Sequence, residues 1–419
     1  MTRLAQPSAR PQSFFGPALI IFISANIANL ANLAFNMLFA RLMSPAEFAD
    51  LTLLMSIKLG LLSIFSALQF GISEMTAKSN SANARSLSAR LTKQSLWISI
   101  PLCIGLIMAA ELIGHILNFE NIPALICLFL AIPFFLPMII YRGFAQGQIH
   151  LPKMVGSFQA EWIIRLFGCW LMWTAGFGLI GITCALILSI IAGLFFTIDK
   201  ADVRALSVKG RANKSIVKIT LPYAAIFLAQ VLALDGDIFI AKAAFSNEVA
   251  GGAAGLLLIQ RIFFFAFLSF ATILQPFIIS QAKSERHAFK SLLKLLGLMC
   301  LITLSTLIVI SFQPELFVSA FLGENYAHLA ALVLPAAIIG AAMVGVQLII
   351  VAMLARGLKW TPFIMIALAL LYHMGVVILM TVDPALEYGA LLKLKLSVFG
   401  FGLLAVVGYL LNRITRSSS

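Results

Sequence analysis

The chain alternates between long apolar runs and short polar segments from one end to the other. Many runs reach about 20 residues, the length that a helix needs to cross a bilayer core. They are continuous, whereas the strands of a membrane barrel alternate in polarity over about ten residues. The pattern therefore predicts an all-α, polytopic membrane protein with twelve spans: Pro17 to Ala40, Leu51 to Gly71, Leu96 to Leu117, Pro123 to Tyr141, Val155 to Thr174, Phe177 to Thr197, Ile219 to Ala243, Gly252 to Ile279, Leu292 to Phe312, Leu329 to Met353, Pro362 to Val382 and Gly389 to Leu411.

Composition favours a membrane protein over a soluble one. Apolar residues make up 61% of the chain and charged residues 11%, whereas soluble proteins are about a quarter charged. The five cysteines lie inside apolar runs and form no C-x-x-C pair. Neither a zinc site nor a disulfide framework is therefore predicted.

Basic residues fall on alternate loops. Of the 29 Lys and Arg residues, 22 lie on one predicted side, with Arg142 counted among them, and only Arg41 and Lys242 lie in loops on the other. The positive-inside rule makes the first side cytoplasmic, so we expect both termini in the cytoplasm. This distribution accounts for the net charge of +13 without a nucleic-acid partner.

The longest charged loop, Asp199 to Lys218, separates the sixth span from the seventh. It predicts two pseudo-symmetric six-helix lobes, residues 1–205 and 206–419. A short internal sequence similarity supports a repeat. The segment Ser44-Pro-Ala-Glu-Phe-Ala49 follows the first span, and the similar segment Ser246-Asn-Glu-Val-Ala250 follows the seventh. In transporters built from parallel repeats, the substrate path lies between the halves near the bilayer midplane.

Sequence signatures of catalysis are missing. The chain has no Gly-Lys dipeptide and hence no Walker A loop, and it has no H-E-x-x-H or G-x-S-x-G motif. Its predicted outer loops are too short to hold an enzyme domain. His373 in the eleventh span is either a buried, hydrogen-bonded imidazole or a proton relay. The sequence therefore predicts a transporter that is not an enzyme and has no cofactor or metal.

Four asparagines interrupt the first apolar run. Asn26, Asn29, Asn32 and Asn36 are spaced three, three and four residues apart, so they share one face of a helix. A polar side chain in hydrocarbon is costly unless it faces protein or a water-filled cavity. Two interpretations stay open: amide hydrogen bonds that hold helices together, and a cavity wall that binds a hydroxyl-rich substrate.

Three other spans carry polar residues that we expect in the same cavity. In chain order they are Lys58, Gln69, Gln230, Asp235, Asp237, Arg261 and Gln275. At 1.5 Å per residue, Lys58, Asp237 and Arg261 lie at a similar depth, about 10 Å from the outer ends of their spans. Asp237 and Arg261 form either a structural ion pair or part of a charged layer with Lys58, for which the sequence offers no obvious acidic partner. A cation in that layer would suit a lipid pyrophosphate.

Two other sets of intramembrane charges have structural explanations. Glu161 and Arg165 are four residues apart with the acid first, which favours an ion pair within one helix. Lys393 and Lys395 lie near the outer end of the last span. They either reach toward the interface or line the cavity.

Several segments resemble the bacterial polysaccharide transporters that export O-antigen and teichoic acid, a family of the multidrug/oligosaccharidyl-lipid/polysaccharide (MOP) superfamily. They occur in that family's order along nearly the whole chain: FARLMSPAEFADLTLL, YRGFAQGQ, EWIIRLFG, DGDIFIAKAAFSNEVAGGAAGLLLIQRI and FLGENYAHLAALVL. Asp237, followed by the turn from Ser246 to Gly251, is the most distinctive match.

The resemblance implies a V-shaped cavity lined by the first, second, seventh and eighth spans, which are the spans with the polar residues above. It implies a flippase that moves undecaprenyl-pyrophosphate-linked oligosaccharide from the inner to the outer leaflet. Polysaccharide polymerases or glycosyltransferases would be partners, beside membrane lipids. The chain departs from cation-driven multidrug relatives because its first span has no acidic residue, and it is too short for fourteen-helix peptidoglycan-precursor relatives.

Three alternatives remain open from the sequence. A cation-coupled exporter of small molecules would share the fold and use Asp235 or Asp237 to carry the coupling proton. A membrane glycosyltransferase or polymerase is disfavoured by the short outer loops. A major-facilitator transporter is disfavoured because the second-to-third loop lacks a G-x-x-x-D-R pattern.

Overall fold

The computed structural model describes the backbone of residues 15–77, 79–207, 215–280, 285–355, 358, 360–383 and 385–416. Within these ranges the side chains are described except at residues 15–22, 25, 70, 215–219, 221–223, 225–226, 268–280, 285–292, 295, 299, 355 and 413–416.

Helices make up nearly all of the described chain, and no strand occurs in it. Twelve helices or helical runs follow the twelve predicted spans. They are α1 (Phe15–Leu42), α2 (Pro45–Ala77), α3 (Ser81–Met108, extended by Ala110–Ile116), α4 (Ile122–Leu130 and Ile132–Gly147), α5 (Leu151–Ile163, Ile164–Gly168 and Cys169–Thr174), α6 (Gly178–Phe195), α7 (Ser215–Ala244), α8 (Asn247–Ser280), α9 (Glu285–Phe312), α10 (Ala330–Ala355), α11 (Pro362–Val382) and α12 (Tyr388–Arg416).

The prediction of an all-α polytopic membrane fold is confirmed. Among the described residues, eight helical segments are long and apolar enough to cross a membrane. The number is nine if Leu296–Phe312 and Pro314–Phe321, which meet at 102°, form one bent span. Many large apolar side chains on the outside of the bundle are exposed, including Trp97, Phe312 and Phe401. A lipid environment accounts for such a surface, since soluble monomers rarely expose large apolar patches.

A tight turn joins the fifth and sixth predicted spans, which leave only two residues between them. Helix α5 ends at Thr174 and α6 begins at Gly178. Gly176 and Gly178 have φ values of 83° and 55°, a conformation that glycine adopts without the steric cost of a Cβ atom. The turn is what lets two apolar helices follow each other so closely in the sequence.

Helix α4 packs closely against α2 through Gly143 and Gly147. A Cβ atom at Gly143 would lie 2.8 Å from the carbonyl oxygen of Gln69, and one at Gly147 would lie 2.5 Å from that of Ser73. Small residues four positions apart let membrane helices approach to such distances. The contact fixes α4 beside α2 and so fixes the position of Arg142, the residue before Gly143.

The two halves of the chain meet at the end where short turns join α1 to α2 and α7 to α8. The Lys242 ammonium lies 2.7 Å from a carboxylate oxygen of Asp50 and donates to the Asn247 side chain at 2.7 Å. A Cβ atom at Gly251 would lie 2.6 Å from the carbonyl oxygen of Pro45. We call this contact region, on the predicted outer side, the outer closure.

A charged cluster holds the start of the linker between the halves against the first half. The short helix Lys200–Ala205 begins with a capping box formed by Asp199 and Asp202. Asp202 is fully buried and accepts from Arg85 at 2.8 Å and from Lys153 at 2.9 Å. Burial disfavours the charged form of Asp199, but hydrogen bonds from the Asp202 backbone and from Lys153 outweigh it and lower the Asp199 pKa well below its usual range.

Candidate functional site

A cavity of about 270 Å³ opens between α1, α2, α5 and α8, and we call it the main cavity. Asn29, Asn32 and Asn36 line it. A side cavity of about 130 Å³ between α1 and α8 is lined by these three residues and by Asn26. The Asn36 amide donates to the backbone oxygen of Asn32 at 2.7 Å. The asparagine face of α1 therefore borders open space.

Glu161 on α5 lies at the centre of a buried group of cations. One carboxylate oxygen is 3.3 Å from the Lys58 ammonium and 4.0 Å from the Arg165 guanidinium. The other accepts from Arg142 at 2.9 Å. We call Lys58, Arg142 and Arg165 with Glu161 the cation cluster. The expectation that Lys58 has no acidic partner is wrong, because α5 brings Glu161 to it from 103 positions along the chain.

Arg142 also lines the main cavity, although hydropathy predicts a cytoplasmic loop at this position. The prediction is wrong because α4 continues to Gly147, and the Arg142 side chain is 3% exposed. Its guanidinium donates to the Ser157 hydroxyl at 2.8 Å and to the Ser157 backbone oxygen at 3.1 Å, and it lies 4.3 Å from the centre of the Phe158 ring. The segment after Tyr141, Arg142 to Gly147, contains two glycines, which are poor helix formers, so the sequence gives no clear signal that the helix continues.

Arg261 on α8 completes the cationic lining of the main cavity from the second half of the chain. Its Nε donates to an Asp235 carboxylate oxygen at 2.8 Å, and a terminal nitrogen donates to the Ser56 hydroxyl of α2 at 2.9 Å. The acidic partner of Arg261 is therefore Asp235, and the alternative of an ion pair between Arg261 and Asp237 is wrong. Two positions along a helix turn a side chain by about 200°, so the two acids face different neighbours.

Asp237 belongs to a separate buried network within the second half of the chain. It accepts from the Lys395 ammonium and from the Tyr372 hydroxyl, both at 2.8 Å. The Lys395 ammonium also donates to the Gln260 side chain at 2.9 Å and to the Leu234 backbone oxygen at 3.2 Å. Lys395 is fully buried, so neither snorkelling nor a cavity position describes it. This network joins α7, α8, α11 and α12.

Of the three glutamines expected in the cavity, two lie elsewhere, and the side chain of the third is outside the described residues. Gln69 donates to the Gln146 side chain at 3.0 Å, in the interface between α2 and α4. Gln230 is half-buried and lines neither the main nor the side cavity. The side chain of Gln275 lies outside the described residues.

Aromatic residues that the sequence analysis did not single out also line the main cavity. They are Phe158, Trp162 and Phe265. Apolar and aromatic walls with a few placed polar groups are typical of small-molecule sites. Aromatic residues are common in apolar runs, so only the packing distinguishes these three from other ring side chains. No cluster of His, Cys, Asp and Glu that could hold a metal ion occurs among the described residues.

Comparison with known proteins finds similarity in structure alone. No family model matches the chain, and no curated protein sequence does. An inward-facing multidrug resistance MATE family transporter of the MOP superfamily has a TM-score of 0.74 at 15% identity, over 93% of this chain and 95% of that one. The lipid II flippase MurJ in an inward closed conformation has a TM-score of 0.71 at 15% identity, over 94% of this chain and 87% of that one.

A third similar structure is a MOP superfamily transporter from Pyrococcus furiosus, described as having a binding pocket of reverse polarity. Its TM-score is 0.57 at 15% identity, over 96% of this chain and 95% of that one. These neighbours are transporters and a flippase, and the alignment covers nearly the full length of each chain. This protein therefore shares the polytopic helical fold of these structures.

Proposed function

We propose that this chain is a flippase for lipid-linked oligosaccharides, with an undecaprenyl-pyrophosphate headgroup as the part that it holds. The observation that carries the proposal is the charge of the main cavity. Lys58, Arg142, Arg165 and Arg261 line it, and Glu161 is the one acidic residue among its lining residues. Such a surface attracts an anion, and guanidinium groups are suited to phosphate because they present several donors in one plane.

The uncharged part of the lining fits a sugar next to that headgroup. Asn29 and Asn32 can donate to and accept from hydroxyl groups, and Trp162 offers a flat apolar surface in the same cavity. A cavity of about 270 Å³ has room for a headgroup and its first sugar rather than for a whole glycan. The remaining sugars would extend toward the open side of the path.

The competing function is a cation-coupled exporter of small molecules. Overall similarity does not separate the two, because TM-scores of 0.74 and 0.71 belong to a MATE transporter and to MurJ. The charge of the main cavity and the pairing of the two aspartates favour the flippase. Asp235 and Asp237, the expected proton carriers of an exporter, are engaged by Arg261 and Lys395. A positively charged cavity would also repel cationic drugs.

The test is surface glycan in a strain that lacks the gene and is complemented with variants. Lys58→Ala and the combination of Arg261→Ala with Asp235→Asn should each abolish export while the protein level in the membrane stays near normal. Asp235→Asn is included because Arg261→Ala alone would leave a buried carboxylate without its cation. Arg261→Lys should retain part of the activity, since an ammonium cannot replace a bidentate guanidinium. Lys393→Ala, an exposed cation on α12, is the matched control and should export normally. Full surface glycan from the Lys58→Ala, Arg261→Ala double variant would exclude this function.

The proposed location is the bacterial inner membrane, with both termini cytoplasmic and with polymerases or glycosyltransferases of the same pathway as partners. The basic loops carry this orientation, although Arg142 no longer counts toward them. Reporter fusions at Ser419 and at Glu324 should report opposite sides of the membrane. Reporters on the same side would contradict it.

A further inference from the structure

The cation cluster is short of negative charge. Lys58, Arg142 and Arg165 come from α2, α4 and α5, and the single carboxylate of Glu161 balances only one of their three positive charges. The side chains of Lys58 and Arg142 are each 3% exposed. Buried charges are stable when paired, and an excess of one sign is costly. The cation cluster therefore carries excess positive charge that a bound anion would neutralise.

Arg165 is the least satisfied of the three cations. Its contact with Glu161 is 4.0 Å long, beyond hydrogen-bonding distance. Its Nε is buried and has no hydrogen-bond partner in the described structure. Since buried polar atoms are nearly always paired, this nitrogen indicates a missing acceptor on the cavity side, where Arg165 is part of the lining.

Arg165 also lies in an irregular part of its helix. Residues Ile164–Gly168 form a π-helical turn inside α5. Such turns are rare and are frequent at functional sites. The turn begins three residues after Glu161 and contains Arg165, so its geometry sets the position of Arg165 relative to the acid.

We propose that Glu161 is a resident counter-anion, which holds the three cations while the cavity is empty and which a doubly charged phosphate or diphosphate group displaces. The inference rests on the proposed function and adds how the same site binds and releases its anion. The ligand's oxygens would replace Glu161 at Arg142 and Lys58 and would supply the acceptor that Arg165 Nε lacks. Glu161 would return when the anion leaves, so binding would be reversible instead of too tight for transport.

The experiment measures anion binding to the purified full-length protein in lipid nanodiscs by calorimetry. The probes are inorganic pyrophosphate and geranyl diphosphate. Glu161→Gln keeps the shape of the side chain and removes the competing charge, so it should bind pyrophosphate about tenfold more tightly than the unmodified protein, the size of one charge-assisted hydrogen bond. Arg165→Gln should bind it about tenfold more weakly. Glu248→Gln, an exposed acid at the outer end, should leave binding unchanged.

Equal or weaker binding by Glu161→Gln in a stably folded protein would overturn the proposal. If Glu161→Gln does not fold, Glu161→Asp serves instead. It keeps the charge but withdraws it by one methylene, so binding should again tighten, and unchanged binding would overturn the proposal. Tighter binding of geranyl diphosphate than of pyrophosphate would identify a lipid headgroup as the ligand, and equal binding would identify the free anion.

Failure of this inference and failure of the proposed function give different results. If the chain is not a glycan flippase, the gene-deleted strain keeps its surface glycan while Glu161→Gln still tightens pyrophosphate binding. If Glu161 is not a counter-anion, export still depends on Lys58 and Arg261 while Glu161→Gln leaves the affinity as it was.

Discussion

Two of the buried charge networks in the described structure differ in balance, since one has an excess of positive charge and the other is neutral. In the cation cluster, three positive groups share the carboxylate of Glu161. In the second network, the carboxylate of Asp237 receives the Lys395 ammonium and the Tyr372 hydroxyl, and Lys395 has two further acceptors. The second network is balanced and lines neither cavity, which indicates a structural role, whereas the unbalanced cation cluster lines the main cavity, where a ligand could supply the negative charge that it lacks.

Replacement of Lys395 tests the structural role of the second network. Lys395→Met would leave the Asp237 carboxylate buried without its cation, and such a loss typically costs 3–5 kcal/mol. We expect a clearly lower thermal unfolding temperature for the purified protein. The double variant with Asp237→Asn should recover part of the loss, because no uncompensated charge then remains buried.

The control for that series is Lys393→Met, two positions away on α12 and exposed. It should change the unfolding free energy by about 0.5 kcal/mol or less. A double variant as unstable as the sum of its two single variants would show that Lys395 and Asp237 do not act as a pair.

At the scale of the helix, α1 presents an amide face to the two cavities. Asn26, Asn29, Asn32 and Asn36 all border them, as their spacing predicts. Ile27 lies on the opposite face and is 42% exposed. The helix is thus polar toward the two cavities and apolar toward the other side, as suits a helix between lipid and a polar cavity.

Replacement of Asn29 and Asn32 together by Leu tests this face. If the amides bind cargo, the inserted protein should keep its normal level and lose about tenfold or more in glycan export, since each lost hydrogen bond contributes about 1 kcal/mol. If they instead hold helices together, thermal stability and expression should fall. The control is Ile27→Ala. Normal export with normal stability would contradict both interpretations.

At the scale of the whole molecule, the outer closure holds the two halves of the chain together at the predicted outer end. Arg41 donates to the backbone oxygen of Ala320, and Phe48 packs edge-on against Tyr326 at 6.2 Å between ring centres. Together with the ion pair of Asp50 and Lys242, these contacts join the two halves of the chain. The proposed flippase cycle requires that these contacts separate.

Loss of Lys242 should weaken the outer closure. In a background without native cysteines, Ala253→Cys places a thiol at a fully buried position of α8 near the closure. Its reaction with a membrane-impermeant thiol reagent added outside should be about fivefold faster in Lys242→Ala, since a partly exposed ion pair contributes ~1 kcal/mol or less. Lys393→Ala should leave the rate unchanged. An unchanged rate in Lys242→Ala would mean that this ion pair does not keep the closure shut.

The sequence by itself determined the helices, their order and the amide face of α1. Apolar runs and helical spacing are local properties, because bilayer thickness sets the length of a span and 3.6 residues per turn sets its faces. Asn29, Asn32, Asn36, Lys58 and Arg261 were placed in the cavity on these grounds, and they line it.

Only the tertiary structure decided which charges meet. Lys58 meets Glu161 and Asp237 meets Lys395 over 103 and 158 positions, and no periodicity within one helix specifies a partner on another. Arg142 shows the same limit, since hydropathy ended its span at Tyr141 while α4 continues to Gly147. In a low-dielectric interior, a charge is stable only beside its opposite, so helix packing selects the pairs, and packing depends on contacts between residues far apart in the sequence.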